Sequence, residues 1–147
     1  MTRIDFYIVA EDQEGSAADT VACRLAAKAF ALGHRTYVHA SDDAHARMID
    51  ERMWTFQQGG FVPHMLATEG HELPEGLPAP VLIGFGSEPP ADYWDLLINL
   101  QPTVPLFFSR YGRVAELVSA DPEARQHGRE RYRFYRDRGY ELHTHRL

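Results

Sequence analysis

The sequence contains a single cysteine, Cys23. One thiol forms no intrachain disulfide and supplies too few ligands for a cysteine-based zinc site. Long apolar runs are also missing, because no window approaches the roughly 18 consecutive apolar residues of a membrane-spanning helix. Residues 1–20 show no basic start followed by an apolar run of signal-peptide length. These absences predict a soluble protein without disulfides, located in a reducing cytoplasm and not inserted in a membrane.

The length and composition fit one globular domain spanning residues 1–147. With 44% hydrophobic and 12% aromatic residues, such a chain buries roughly two-thirds of its unfolded surface. The net charge of −6 is unevenly distributed: residues 125–147 hold seven arginines against three acids, a local charge of +4, which leaves −10 for residues 1–124. A net-acidic body argues against wrapping DNA, since non-specific DNA affinity comes mainly from phosphate neutralisation. The basic end suits a small acidic partner.

Apolar β-branched runs alternate with amphipathic, helix-forming segments along the chain. The predicted strands are residues 4–9, 35–40, 81–85, 96–100, 113–118 and 140–144. Helices are predicted from a cap at Ser16 to Leu32, from a cap at Ser41 and Asp42 with Met48, Ile49 and Met53 on the inner side, briefly after residue 105, and over residues 122–138. Residues 57–80 are predicted to form a loop with at most short extended pieces. This alternation favours an α/β fold with a mainly parallel sheet.

Searches for catalytic motifs return little. The segment Gly84–Gly86 follows a strand but lacks the third glycine and the Lys-Ser/Thr pair of a phosphate loop, so it predicts a tight turn. Ser87 and Ser109 have no nucleophile-elbow sequence around them. Cys23 lies among alanines in a predicted helix, where a buried and inert thiol is expected. We therefore predict no catalytic residue.

The histidines allow a weak metal hypothesis. His143 and His145 would share a face of a strand, with His64 or His71 as a possible third ligand. No histidine or glutamate at helical spacing completes the set. We predict neither a metal nor another cofactor.

The last predicted helix carries an unusual basic stripe. At about 100° per residue, four arginines and one tyrosine fall on one face; they are Arg125, Arg129, Tyr132, Arg133 and Arg136. A solvated helix face more commonly mixes acids with bases in i,i+4 pairs, and this stripe contains no acid. Guanidinium groups around an aromatic ring suit a peptide carboxylate with an apolar side chain. A solvated basic face and nucleic-acid contact remain the alternative interpretations.

Several segments, taken together, resemble the chi subunit family of bacterial DNA polymerase III. They are Asp5–Tyr7 (DFY), the helix around Cys23, Trp54, Phe61–His64 (FVPH), Arg129–Arg136 (RERYRFYR) and Gly139–Leu142 (GYEL). The resemblance runs over nearly the whole chain, and the arginine-rich motif is its most specific part. It implies a single three-layer α/β domain with helices on both faces of the sheet, and no catalytic activity. It also implies an adaptor that joins two partners within the clamp-loader assembly.

The implied partners are the psi subunit, or a functional equivalent, and the C-terminal tail of single-stranded-DNA-binding protein, which is acidic and ends in Phe. Little or no direct DNA binding is expected. Carried over by motif, the tail pocket uses Val118, Arg129, Tyr132, Arg133, Arg136, Leu142 and Thr144. The psi-facing surface includes Phe61 and Trp54, which on the residues alone are equally well core or exposed loop aromatics.

The alternative hypothesis is a small α/β enzyme with its site at the carboxyl ends of the strands. Such an enzyme predicts titratable side chains converging near Ala10, Ser41 or Gly86. An adaptor predicts that no titratable side chains converge at this edge and that charge is concentrated on the last helix.

Overall fold

The computed structural model describes residues 2–10, 17–57, 61–67, 80–86, 89 and 94–147. Its strands are β1 (Arg3–Ile8), β2 (Thr36–Ala40), β3 (His64–Leu66), β4 (Val81–Phe85), β5 (Leu96–Asn99), β6 (Arg113–Val118) and β7 (Glu141–Arg146). Its helices are α1 (Ala17–Ala31), α2 (Asp43–Thr55) and α3 (Pro122–Asp137), and a 3₁₀ turn covers Phe108–Arg110. The predicted cap at Ser16 lies outside the described residues.

The strands form one sheet in the order β3-β4-β2-β5-β6-β1-β7, and every pair in the described residues is parallel. The central strands are apolar on both faces; in β4, for example, Val81, Leu82 and Ile83 are fully buried. Strands that are apolar and buried on both faces are typical of a parallel sheet covered on both sides. The predicted α/β class is therefore confirmed.

The sheet lies between two helical layers. On one face α1 and α2 pack through small and aliphatic side chains such as Ala22, Ala26 and Ile49. On the other face α3 and the 3₁₀ turn pack aromatic rings, among them Tyr135 and Phe108, against the sheet. This arrangement confirms the three layers that the family resemblance implied.

Most predicted elements agree with the structure, and Met48 is the clear exception. Met48 is 56% exposed, whereas Ile49 and Met53 are buried. Neighbouring residues on a helix point about 100° apart, so Met48 cannot share the inner face that the i,i+4 pair Ile49 and Met53 occupies. The prediction that Met48 lies on the inner side of α2 is wrong.

The start of α3 follows from local sequence. The Asp121 carboxylate accepts a hydrogen bond from the Ala124 amide at 3.1 Å, and Pro122 occupies the first turn. Gly139 follows the helix with a φ of 79°, the left-handed conformation that glycine adopts at little cost. These boundaries agree with the predicted helix. One face of α3 lies toward β6 and β1. None of the helices in the described ranges has the length and hydrophobicity of a membrane span.

Candidate peptide-binding site

A cavity of about 360 Å³ lies between α3 and the strands β6, β1 and β7. Helix α3 forms one wall, and β7, the last strand of the sheet, bounds the other side. The cavity is lined by Phe6, Ile8, Val118, Arg125, Gly128, Arg129, Tyr132, Thr144 and Arg146.

The floor of the cavity is apolar. The Phe6 and Tyr132 rings meet edge to face with centroids 5.4 Å apart, and Ile8 and Val118 complete the surface. Gly128 lets α3 approach β6, because a Cβ at this position would lie 2.9 Å from Val118 Cγ1. The floor therefore offers an apolar contact for a side chain.

The rim of the cavity is positively charged. Arg125 donates from Nη2 to the Val9 carbonyl at 3.1 Å, and Arg129 donates from Nη1 to Gln126 Oε1 at 3.2 Å. Arg146 makes no hydrogen bond or ion pair within the described residues. No carboxylate belongs to the described lining. Three guanidinium groups above an apolar floor can bind a carboxylate attached to an apolar side chain.

The structure brings together four of the seven residues predicted for the tail pocket, namely Val118, Arg129, Tyr132 and Thr144. The other three, Arg133, Arg136 and Leu142, do not line the cavity. Arg136 pairs with the neighbouring Asp137 at 3.1 Å. Leu142 is half-buried and packs against the aromatic cluster under α3.

Arg136 lies outside the cavity because of its position along the helix axis. A helical wheel gives the direction of a side chain and ignores its height, and Arg136 stands about 10 Å further along α3 than Arg129. Arg133 stays close to the preceding turn, with its Nε 3.5 Å from the Arg129 carbonyl. The binding roles of Arg133, Arg136 and Leu142 remain predictions.

Sequence reasoning left several lining residues out of the predicted pocket. Arg125 belonged to the basic stripe, and Gly128 interrupts a helix in which glycine is costly, which signals a close approach. Phe6, Ile8 and Arg146 come from other strands, so only the pairing of β7 with β1 places them beside α3.

Arg131 has a different environment from the other arginines of α3. It is 4% exposed, and its Nε donates to Glu116 Oε1 at 2.9 Å. Further donors reach the carbonyls of Leu117 and Pro102. Burial raises the pKa of Glu116, an effect that the Arg131 charge and hydrogen bonds from Tyr135 and Asn99 oppose. Arg131 thus fastens α3 to β6.

A second exposed feature lies at the opposite edge of the sheet. Trp54 and Phe61 are 58% and 62% exposed, and their ring centroids lie 5.4 Å apart. The His64 ring packs against Trp54 at 4.7 Å. Both aromatic residues are exposed, which resolves the two alternatives that the sequence left open. Because β3 and β7 are opposite edges, this aromatic surface is separate from the cavity.

The carboxyl edge of the sheet contains a pair of titratable side chains that the adaptor hypothesis did not predict. His45 Nε2 lies 2.8 Å from Asp19 Oδ1, a hydrogen bond that raises the pKa of His45. However, His45 Nδ1 accepts from the Ser41 backbone amide, while the Ser41 hydroxyl donates to the Leu100 carbonyl. A histidine that activates a serine must bond to its hydroxyl. The described residues therefore contain the pair without an activated nucleophile.

The other chemical candidates also have structural roles. Cys23 is buried, as predicted, and burial raises the pKa of its thiol to about 12; its inertness stays a prediction. Gly86 has a φ of 74°, as expected for a tight turn. The Ser109 carbonyl accepts from the Thr2 hydroxyl at 3.3 Å, a backbone contact that does not involve the Ser109 hydroxyl. Ser87 lies outside the described residues.

His143 and His145 share a face of β7, as predicted, but His64 lies far from them. His145 bonds to Asp5 at 2.9 Å and His143 lies 3.5 Å from Glu141, both at the β7 edge. His64 is on β3 at the far edge, and His71 is not among the described residues. Within the described ranges, no three His, Cys, Asp or Glu side chains are placed to hold one metal ion.

Comparisons with known proteins agree with the resemblance seen in the sequence. A family model described as "DNA polymerase III chi subunit, HolC" matches residues 1–143. A Pseudomonas aeruginosa protein named DNA polymerase III subunit chi is 46% identical over 147 residues, covering 100% of this chain and 98% of that protein. The Escherichia coli protein of the same name is 33% identical over 98% of this chain and 97% of its own length.

A solved structure, that of T4 UvsW, has a TM-score of 0.70. It covers 99% of this chain and 41% of the UvsW chain at 9% identity, so this likeness concerns the fold alone. The family match ends within β7, the Pseudomonas relative extends over the whole α/β fold, and both include the arginine-rich helix. The chain described here belongs to the chi subunit family of DNA polymerase III.

Proposed function

We propose that this chain is a non-catalytic adaptor that binds the acidic C-terminal tail of single-stranded-DNA-binding protein. Membership of the chi family gives it an accessory role in DNA replication. The observation that carries the proposal is the cavity under α3, which combines an apolar floor with three arginines and a described lining free of carboxylates.

The tail's chemistry matches this cavity. Its terminal Phe packs against Val118 and the ring of Tyr132, and its carboxylate lies within reach of Arg129 and Arg125. Each charge-assisted hydrogen bond contributes roughly 1.5 to 3 kcal/mol. A short peptide buries little area, so the affinity is around micromolar. It falls with added salt because exposed charges are screened beyond about 10 Å at 0.1 M.

A peptide titration tests the proposal. We expect Arg129→Ala to weaken binding of a labelled tail peptide by about tenfold or more. The matched control is Arg24→Ala, which removes the same charge from an exposed position on α1, in the other helical layer. Equal losses in both variants would reduce the effect to net charge, and equal wild-type affinity in both would remove Arg129 from the site. If the wild type does not bind the peptide, the adaptor proposal fails.

We also propose that the exposed Trp54 and Phe61 surface binds the psi subunit, or a functional equivalent, and so links the tail to the clamp loader. Exposed aromatic side chains are frequent anchors of protein interfaces. The two surfaces lie at opposite edges of the sheet, so both partners can bind at once.

The psi proposal has its own test. We expect Phe61→Ala to cost about 2 kcal/mol of binding to purified psi, with the melting temperature unchanged because Phe61 is 62% exposed. Leu106→Ala is the control, since Leu106 is 94% exposed and lies elsewhere. Unfolding of Phe61→Ala, or equal losses in both variants, contradicts an interface at Phe61.

Absence of catalysis and of strong DNA binding completes the proposed function. The hydroxyl of Ser41 bonds to a carbonyl and so is not placed for activation by His45. The net charge of −6 opposes non-specific DNA affinity. We expect a labelled single-stranded oligonucleotide to show no saturable binding at 0.15 M salt, whereas the tail peptide binds in the same buffer.

A further inference from the structure

The outer edge of β7 has no strand beside it in the described part of the sheet. The Leu147 amide donates to the Ile8 carbonyl at 3.0 Å, so residues of the same parity direct their backbone groups toward β1. Backbone direction alternates along a strand. The N–H and C=O groups of Leu142, Thr144 and Arg146 therefore point away from the sheet. Such an edge is a ready template for one more strand.

This edge is continuous with the cavity under α3. Thr144 pairs in register with Phe6, and Arg146 pairs with Ile8, and all four residues line the cavity. The residues with outward backbone groups thus include two that form the outer wall of the cavity. When the last residue of a peptide occupies the cavity, the preceding residues run out of the cavity alongside β7.

Basic side chains are present on both faces of this edge. On the α3 face lie Arg125, Arg129 and Arg146. On the other face, Arg3 and Arg113 both bond to the fully buried Asp5, at 3.2 and 2.7 Å, and His143 and His145 follow along β7.

An added strand directs alternate side chains to the two faces, so an acidic strand meets basic groups on both. The single negative charge of Asp5 neutralises the charge of one of the two arginines bonded to it. The exposed Glu141 is the acid on β7 itself. A second copy of β7 would instead offer one acid, Glu141, to these basic groups. The charge pattern favours an acidic peptide over self-association.

We propose that the acidic residues preceding the tail's terminal Phe pair with the outer edge of β7 as an eighth strand. This inference rests on the proposed tail binding and specifies how the upstream residues are held. Main-chain hydrogen bonds to Leu142, Thr144 and Arg146 supply affinity that does not depend on tail sequence, and the cavity reads the terminal residue. The arrangement predicts an effect with a period of two residues along the tail.

A backbone N-methyl scan of the tail peptide tests this pattern without altering the protein. The probe is a labelled peptide of about nine residues with the C-terminal sequence of the same organism's single-stranded-DNA-binding protein, enough for a six-residue strand and a terminal anchor. We expect N-methylation at every second upstream position to weaken binding about three- to tenfold, the loss of one hydrogen bond. The intervening positions serve as matched controls, because their amides face solvent.

Amide exchange followed by NMR gives a second measurement. Saturating peptide is expected to slow exchange at Leu142, Thr144 and Arg146, with little change at His143 and His145, whose amides already face β1. A peptide that binds and is weakened by Arg129→Ala, but shows no alternation in either measurement, overturns the added strand and leaves the cavity proposal intact. Protection of the three amides in a dimer without peptide also overturns it. A wild-type protein that fails to bind the unmodified peptide overturns both.

Discussion

Replacing Arg131 by Met tests the difference between the buried arginine of α3 and its exposed neighbours. The substitution keeps an apolar stem of similar length but leaves the fully buried Glu116 without its cation. Breaking a buried ion pair in this way costs about 3 to 5 kcal/mol. The carbonyls of Leu117 and Pro102 also lose a donor. Since domains are stable by about 5 to 15 kcal/mol, the variant should lose a large share of its stability.

Urea unfolding measures the loss. With an m-value of about 2 kcal/mol/M, a cost of about 4 kcal/mol lowers the midpoint by roughly 2 M. Arg133→Met is the control, because Arg133 is two residues away on the same helix and exposed, and surface substitutions usually stay within about 0.5 kcal/mol. The double variant Glu116→Gln/Arg131→Met should be more stable than Arg131→Met, since it contains no uncompensated buried charge.

The pH dependence of Arg131→Met adds a second check. Burial already raises the pKa of Glu116, and removal of the opposing charge raises it further. A carboxyl whose pKa is higher in the folded state binds more protons there than in the unfolded chain. The stability of Arg131→Met should therefore fall as pH rises above about 4.3, more steeply than in the wild type. A midpoint within about 0.5 M of wild type, or an unchanged pH dependence, would refute the assigned role of the ion pair.

Three further predictions concern the cavity, a buried histidine and the single cysteine. Gly128→Ala should weaken tail binding at least fivefold, because the added Cβ displaces Val118 in the cavity floor. The stability of the variant changes less, since a gain in helix propensity of about 1 kcal/mol offsets part of the overpacking cost. An equal loss of binding in Gly112→Ala, where the nearest atom to the added Cβ is 3.8 Å away, would contradict this. Burial lowers the pKa of His39 to about 4, so wild-type stability should fall by up to about 3 kcal/mol between pH 6.5 and 4 relative to His39→Gln; parallel pH profiles in urea unfolding would disprove it. Cys23, with its pKa raised to about 12 by burial, should react with a thiol reagent at pH 8 at least a hundredfold more slowly in the native than in the urea-unfolded protein, and comparable rates would show that the thiol is accessible.

The sequence contains a signal that distinguishes Arg131 from the exposed arginines of α3. Arg131 is four residues before Tyr135, which is fully buried, and positions four apart share a helix face. Glu116 is an acid in the otherwise apolar core of β6. A buried acid requires a partner, so the two anomalies together point to an ion pair.

Local patterns in the sequence determined the elements and the fold class. Continuous apolar strands, the Asp121 and Pro122 helix start and the glycine after α3 act over a few residues, through side-chain periodicity and backbone hydrogen bonding. The arginine-rich motif, with the segments around it, was enough to indicate the family. These features need no knowledge of distant contacts, and the structure agrees with them.

Only the tertiary structure decided which side chains meet. It brought Phe6 and Arg146 beside Arg129, because β1 and β7 pair next to α3. It left Arg136 beyond the cavity and Trp54 exposed at the far edge of the sheet. Periodicity gives the direction in which a side chain points, whereas strand order and helix placement are set by burying both faces of the whole sheet at once. That global packing builds the cavity and leaves the edge of β7 open.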